Sequence, residues 1–135
     1  MGSSLIRAAI AALALAACAA SPEAPVHNPL DGTSWREVSG GEHAPTIEFA
    51  EGRASGHAGC NRWFASVTHG EGVAMTFGDA GSTRMMCEPA RMEVERRFLA
   101  ALNETQIAVV EGDTLILRDI AGADVARFTR IGSAP

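Results

Sequence analysis

The chain has no apolar stretch long enough to cross a bilayer, no lysine, and only three cysteines among its 135 residues. Each absence narrows what the protein can be. The apolar run over residues 8–17 falls well short of the roughly 20 residues that a spanning helix needs, which excludes a conventional transmembrane helix. All 11 cations are arginine; we attach no function to the missing lysine. A formal net charge of −5 does not supply the clustered cations that nucleic-acid backbones require, so no nucleic-acid partner is expected. There is no Gly-x-Ser-x-Gly nucleophile elbow, no phosphate-cradling glycine loop and no metalloprotease helix motif. No internal repeat is present, which excludes solenoids and propellers.

What stands at the N-terminus is an export signal. Arg7 precedes the apolar run, and the small residues Ala16-Ala17 lead directly into Cys18. The length matches a signal-peptide core, and the ending resembles a lipobox. The expectation is a signal peptide over residues 1–17, cleavage before Cys18, and lipidation of Cys18. Acyl chains on that cysteine anchor a protein to a membrane without spanning it, so the membrane is a partner through the lipid. Ala19 rather than aspartate follows. By analogy with lipoprotein sorting, this predicts an outer-membrane lipoprotein facing the periplasm. Residues 18–29, proline-containing and without apolar periodicity, read as a flexible tether. Residues 30–131 form the domain and 132–135 a C-terminal tail. The roughly 118 residues left after cleavage suffice for one domain with a real core.

Export changes the meaning of the remaining cysteines. With Cys18 assigned to lipid, Cys60 and Cys87 are an even pair in an oxidising compartment, where such pairs usually join. The alternatives are two buried free thiols packed together, a zinc site using His57, Cys60 and Cys87, and a Cys60 thiol activated by His57. The metal reading lacks a second Cys-x-x-Cys arm, and no cofactor is expected.

From residue 30 the sequence reads as short strands punctuated by glycine, over 33–38, 46–49, 53–57, 63–68, 73–77, 107–110, 114–118 and 124–131. His69 opens the Gly-rich loop that follows the fourth of these. Residues 89–103 contain no glycine and start with proline, which suits the first turn of a helix. Met92, Val94, Phe98, Ala101 and Leu102 share one side there, while Glu93, Glu95, Arg96 and Arg97 take the wet side. The fold class is therefore α+β: a mainly antiparallel, strongly curved sheet, or partial barrel, with one main amphipathic helix.

The central run Gly56-His57-Ala58-Gly59-Cys60-Asn61-Arg62-Trp63-Phe64, with Ser82-Thr83-Arg84-Met85-Met86-Cys87 downstream, resembles the META (HslJ-like) domain family. Gly32-Thr33-Ser34-Trp35, Phe98-Leu99-Ala100-Ala101-Leu102, Leu115-Ile116-Leu117 and Ala126-Arg127-Phe128 extend the resemblance over about residues 30–131. Trp63 departs from it, standing where the family often carries tyrosine. The motif residues are Gly56, Gly59, Asn61, Arg62, Thr83, Arg84, Met85 and Met86. The resemblance implies a small α+β domain on envelope or secreted proteins, with no established enzymatic activity and with associations to heat shock, antibiotic tolerance and motility. It also implies a fold similar to secretin pilotins.

Read as chemistry, these residues point first to packing. Asn61, Ser82 and Thr83 suit side-chain bonds to backbone at turns. Arg62 and Arg84 read as surface or ion-paired cations before they read as anion contacts. Met85 and Met86 can line an apolar groove, but one of two adjacent methionines on a strand ordinarily faces the core, and Met75, Met92, Phe64 and Phe98 also read as core. Ser82, His57 or His69, and Asp79 make a triad only on paper, and Glu93 and Glu95 do not face each other on a helix. The expected function is thus a membrane-anchored, non-catalytic binding or accessory module for an envelope protein or lipid. The alternatives are a pilotin-like chaperone for an acyl chain or secretin peptide, and a thiol or Ser/His enzyme.

Overall fold

Alternation of apolar and polar residues decides the architecture, because each short strand has one face to hide. In a computed structural model of the chain, residues 29–133 are described, together with residue 14 in isolation. Apart from residue 14, the expected signal peptide, Cys18 and the expected tether up to residue 28 lie outside the described residues. Among the described residues nine strands and one α-helix follow in order: β1 (Thr33–Glu37), β2 (Thr46–Ala50), β3 (Arg53–His57), β4 (Arg62–His69), β5 (Met75–Phe77), β6 (Gly81–Ser82), α1 (Pro89–Glu104), β7 (Ile107–Glu111), β8 (Thr114–Arg118) and β9 (Asp124–Ser133). A short 3-10 turn, Gly41–His43, joins β1 to β2. No helix among the described residues is long and apolar enough to cross a membrane.

The strands form one antiparallel sheet in the order β5-β4-β3-β2-β1-β9-β8-β7, with β6 pairing β4 beside that path. Its two ends nearly meet. Met75 N–H donates to the Gln106 carbonyl and Ala108 N–H to the Val73 carbonyl, both at 3.0 Å, so β5 and β7 make a short seam that almost closes a barrel. The fold is α+β, a curved antiparallel sheet with one helix. Tight turns set the register. Glu51 and Gly52 both take positive φ, at 53° and 74°, the combination that a two-residue hairpin turn matched to strand twist requires, and Ala50 is thereby paired with Arg53.

Trp35, Ile47, Phe49, Trp63, Leu115, Leu117 and Phe128 are fully buried and belong to one core cluster. The helix closes that cluster with Phe98, whose ring packs edge-on against Trp63 at 5.3 Å and Phe128 at 6.3 Å. Such aromatic contacts stabilise beyond the area they bury. Both tryptophans find partners for their indole N–H, Trp35 on Thr33 Oγ1 at 2.7 Å and Trp63 on the Thr46 carbonyl at 3.0 Å.

Several expectations shift. β4 runs on through His69, so His69 ends a strand and does not open the loop. β9 continues to Ser133, which puts residues 132 and 133 of the expected tail in the sheet. β6 is a two-residue strand with no periodicity to reveal it. Phe64 is half exposed, at 50 %. It alternates with inward Trp63 and lies against Gly81, where an added Cβ would stand 2.4 Å from its Cζ. Glu95, assigned above to the wet side of the helix, is only 6 % exposed.

Candidate functional site

Buried Glu95 leads to the centre of the motif cluster. A charged side chain leaves water only when hydrogen bonds replace what water supplied. Here they come from one residue: Asn61 donates its backbone N–H to Glu95 Oε1 at 2.6 Å and its side-chain Nδ2 to Oε2 at 2.9 Å. Asn61, itself 2 % exposed, reaches the other way as well. Its Nδ2 donates to the Met85 carbonyl at 3.1 Å, and its Oδ1 accepts from Met85 N–H at 2.6 Å and from Thr83 Oγ–H at 3.0 Å. One amide therefore ties the start of β4 to the helix and to the segment after β6. Thr83 completes the tie, since Arg62 N–H donates to Thr83 Oγ1 at 3.1 Å and Thr83 N–H to the Arg62 carbonyl at 3.0 Å.

Cys60 and Cys87 are disulfide-bonded, with Cα atoms 6.0 Å apart, inside the roughly 7 Å limit for bridging. In that state neither sulfur is a thiolate that could attack a substrate or ligate zinc. Gly59 lets the helix approach: a Cβ there would sit 3.1 Å from both the Arg91 carbonyl oxygen and the Glu95 nitrogen, and Arg91 Nε donates to the Gly59 carbonyl at 3.0 Å. Gly56 passes still closer to a neighbour, its absent Cβ falling 2.2 Å from the Thr46 carbonyl oxygen. His57 accepts the Gly59 N–H on Nδ1 at 3.2 Å.

The remaining motif residues point outward. Arg62 and Arg84 are exposed, and neither joins an ion pair among the described residues. Met85 and Met86 are 58 % and 85 % exposed, which corrects the expectation that one of them faces the core. The reason lies in the backbone: both polar groups of Met85 are held by Asn61, and the segment is not a strand at that point. Met75 and Phe98 are core, and Met92 is half-buried. Ser82 and Asp79 are exposed, and no hydrogen bond among the described residues links them to each other or to a histidine. Glu93 is exposed and pairs with Arg96, whereas Glu95 is buried on Asn61. Glu95 is the site residue that the sequence reading missed. Its signal was the spacing Glu95, Phe98, Leu102, which lies on one helical face.

The Asp124 carboxyl is held by two arginines. Asp124 accepts hydrogen bonds from Arg118 Nε at 2.8 Å and from Arg127 at 3.0 Å. The Arg118 bond first, then Arg127, holds the carboxyl below its usual 3.8. Stabilisation by this group is therefore present above the unfolded value and is lost as pH falls through the lowered one. A carboxyl-carbon NMR titration is expected to place Asp124 below 3.8, and Arg118→Gln should move it back up. An unchanged midpoint in that variant would remove Arg118 as the cause.

Two solved structures share the fold. A protein from Burkholderia xenovorans, solved by NMR, aligns at a TM-score of 0.63 with 23% identity, covering 83% of this chain and 97% of its own. A second NMR structure aligns at 0.57, also with 23% identity, over 74% of this chain and 90% of its own. At that identity the likeness concerns the fold alone. No curated protein matches the sequence. The family model of the META domain matches residues 26–131, which takes in every element from β1 through nearly all of β9. A match over that much of the chain is membership: this protein belongs to the META domain family.

Proposed function

We propose that the protein is a lipid-anchored envelope module that binds a partner and catalyses nothing. The observation that carries this reading is how the motif is used. Asn61, Thr83, Glu95 and the disulfide hold residues 83–87 in place, and what that segment presents to solvent is Arg84, Met85 and Met86. Methionine adapts its shape to a partner surface, and a backbone already fixed loses little entropy on binding. The side chains built into the cluster are spent on structure, and the outward ones suit contact. The Cys18 anchor would keep this surface in the envelope, at a distance set by the tether.

The test has two parts. Labelling cells with an alkyne fatty acid should tag the protein, and Cys18→Ser should abolish the tag; untagged, soluble wild-type protein would defeat the anchoring. For the surface, Met86→Gln and Arg84→Ala should leave the melting curve within the ±0.5 kcal/mol or so typical of exposed sites. The same substitutions should remove crosslinks formed in intact cells by a photoreactive residue placed at position 85. Unchanged crosslinks would show that this face is not the contact. A reproducible turnover lost in either variant would overturn the non-catalytic reading.

A further inference from the structure

An oxidant attacks protein sulfur only where that sulfur is both reactive and accessible. Cysteine oxidation starts from a thiolate, and Cys60 and Cys87 offer none while they are joined. That leaves the thioethers. Four of the five methionines lie in the domain, and they divide sharply. Met75 is 1 % exposed and belongs to the core cluster, and Met92 is half-buried. Met85 and Met86 meet solvent side by side, at 58 % and 85 %.

Their surroundings keep them there. Asn61 holds both backbone polar groups of Met85, and the crosslinked Cys87 follows Met86 directly. Neither methionine can turn inward while those ties stand. Residues 83–88 are in no strand or helix, and neither methionine belongs to the core cluster. A chemical change in these two side chains therefore alters the surface and leaves the packing alone. Met75 is the opposite case, since a polar oxygen there would enter the core.

We propose that Met85 and Met86 form a reversible oxidation site that converts an apolar face to a polar one without unfolding the domain. The oxidant is a hypohalous acid. With hypochlorous acid, the sulfur lone pair takes the chlorine and hydroxide leaves; water then supplies the oxygen as chloride departs. The net change turns one thioether and one hypochlorous acid into one sulfoxide, one chloride and one proton. Sulfur loses the two electrons that chlorine gains. A methionine sulfoxide reductase reverses the change, its dithiol becoming a disulfide while the oxygen leaves as water. Release of a partner by the oxidised face is the functional consequence, and it rests on the proposal that this face is the contact.

The first test is chemical. The full 135-residue chain is titrated with hypochlorous acid and followed by peptide mass spectrometry. Met85 and Met86 are expected to oxidise at least about tenfold faster than Met75, whose sulfur the core shields. Protein oxidised at both should melt within about 2–4 °C of the untreated chain, as for changes at exposed sites. The two reductases, one for each sulfoxide epimer, should together restore it. Oxidation of Met75 or Met92 ahead of Met86 overturns the site. So does a melt that collapses once Met85 and Met86 are oxidised.

The second test reads the consequence in cells. With a photoreactive residue at position 85, Met86 is the thioether that remains on the face. Hypochlorous acid should abolish the crosslinks when Met86 is present and leave them intact in Met86→Leu, which stays apolar and carries no sulfur. Loss in both, or persistence in both, overturns the release. Crosslinks absent before any oxidant is added would instead defeat the contact reading, and the order of oxidation then decides the site by itself.

Discussion

Asn61→Ala is expected to lower the melting temperature of the domain by roughly 12–40 °C. The substitution deletes four side-chain hydrogen bonds at once, to Glu95, to both backbone groups of Met85 and to Thr83. The partners left behind are costly. Each buried group stripped of its partner costs about 1–3 kcal/mol, and more when it is charged. Glu95 keeps the Asn61 backbone N–H but loses the side-chain donor on its second oxygen. About 3–5 kcal/mol in total, at about 4–8 °C per kcal/mol for a domain of this size, gives the stated range. Thr83→Val removes one bond of the set and also the acceptor of the Arg62 N–H, and should cost about 1–3 kcal/mol. A drop below about 5 °C in Asn61→Ala would mean that the cluster does not hold the domain together.

Loss of the disulfide is the second large effect. The bridged residues are 27 apart, and constraining an unfolded loop of that length stabilises by about 3–4 kcal/mol in the chain-entropy model. Reduction, or the paired change Cys60→Ala and Cys87→Ala, should lower the melting temperature by roughly 12–30 °C. Mass spectrometry of the unreduced exported protein should find the two peptides joined; thiols that alkylate freely under native conditions would remove the effect. The two predictions are not independent. Cys60 adjoins Asn61, and Cys87 lies two residues beyond Met85, so the crosslink and the amide fasten the same segment. Removing both should cost less than the sum of the single losses.

How much of this could be read from the residues depended on whether the signal was local. Strands such as Thr114–Arg118 and the helix Pro89–Glu104 announce themselves through alternation, turn residues and an opening proline, and they appear within a residue or two of expectation. Family resemblance marked Asn61 and Thr83 as motif residues, but not what they touch. Glu95 is harder to read: its spacing with Phe98 and Leu102 places it on the inward face, but a carboxylate there reads as wet while its partner, 34 positions away, is unknown. Trp63 and Phe64 pose a related problem. Two adjacent aromatics on a strand cannot both face inward, and the choice was made by what lies outside, Gly81 under the Phe64 ring. His69 was misread because the glycines after it suggested a loop, while the alternation that led to it was the stronger guide.

The position of β1 has a consequence for the order in which the barrel can be assembled. One edge of β1 pairs with β2, its neighbour in the chain, and the other with β9, the last strand, through Trp35↔Arg130 and Glu37↔Phe128. The first ladder can zip as soon as β2 exists. The second must wait for β9, which begins at Asp124, 74 residues beyond the end of β2 at Ala50, and contacts so distant in sequence form slowly. Until then β1 and β8 each offer an unpaired edge, the kind of surface on which strands of separate chains join. A chain interrupted before Asp124 would keep both edges open permanently. Such fragments should associate edge to edge, whereas the intact chain buries both edges with a single strand, its last.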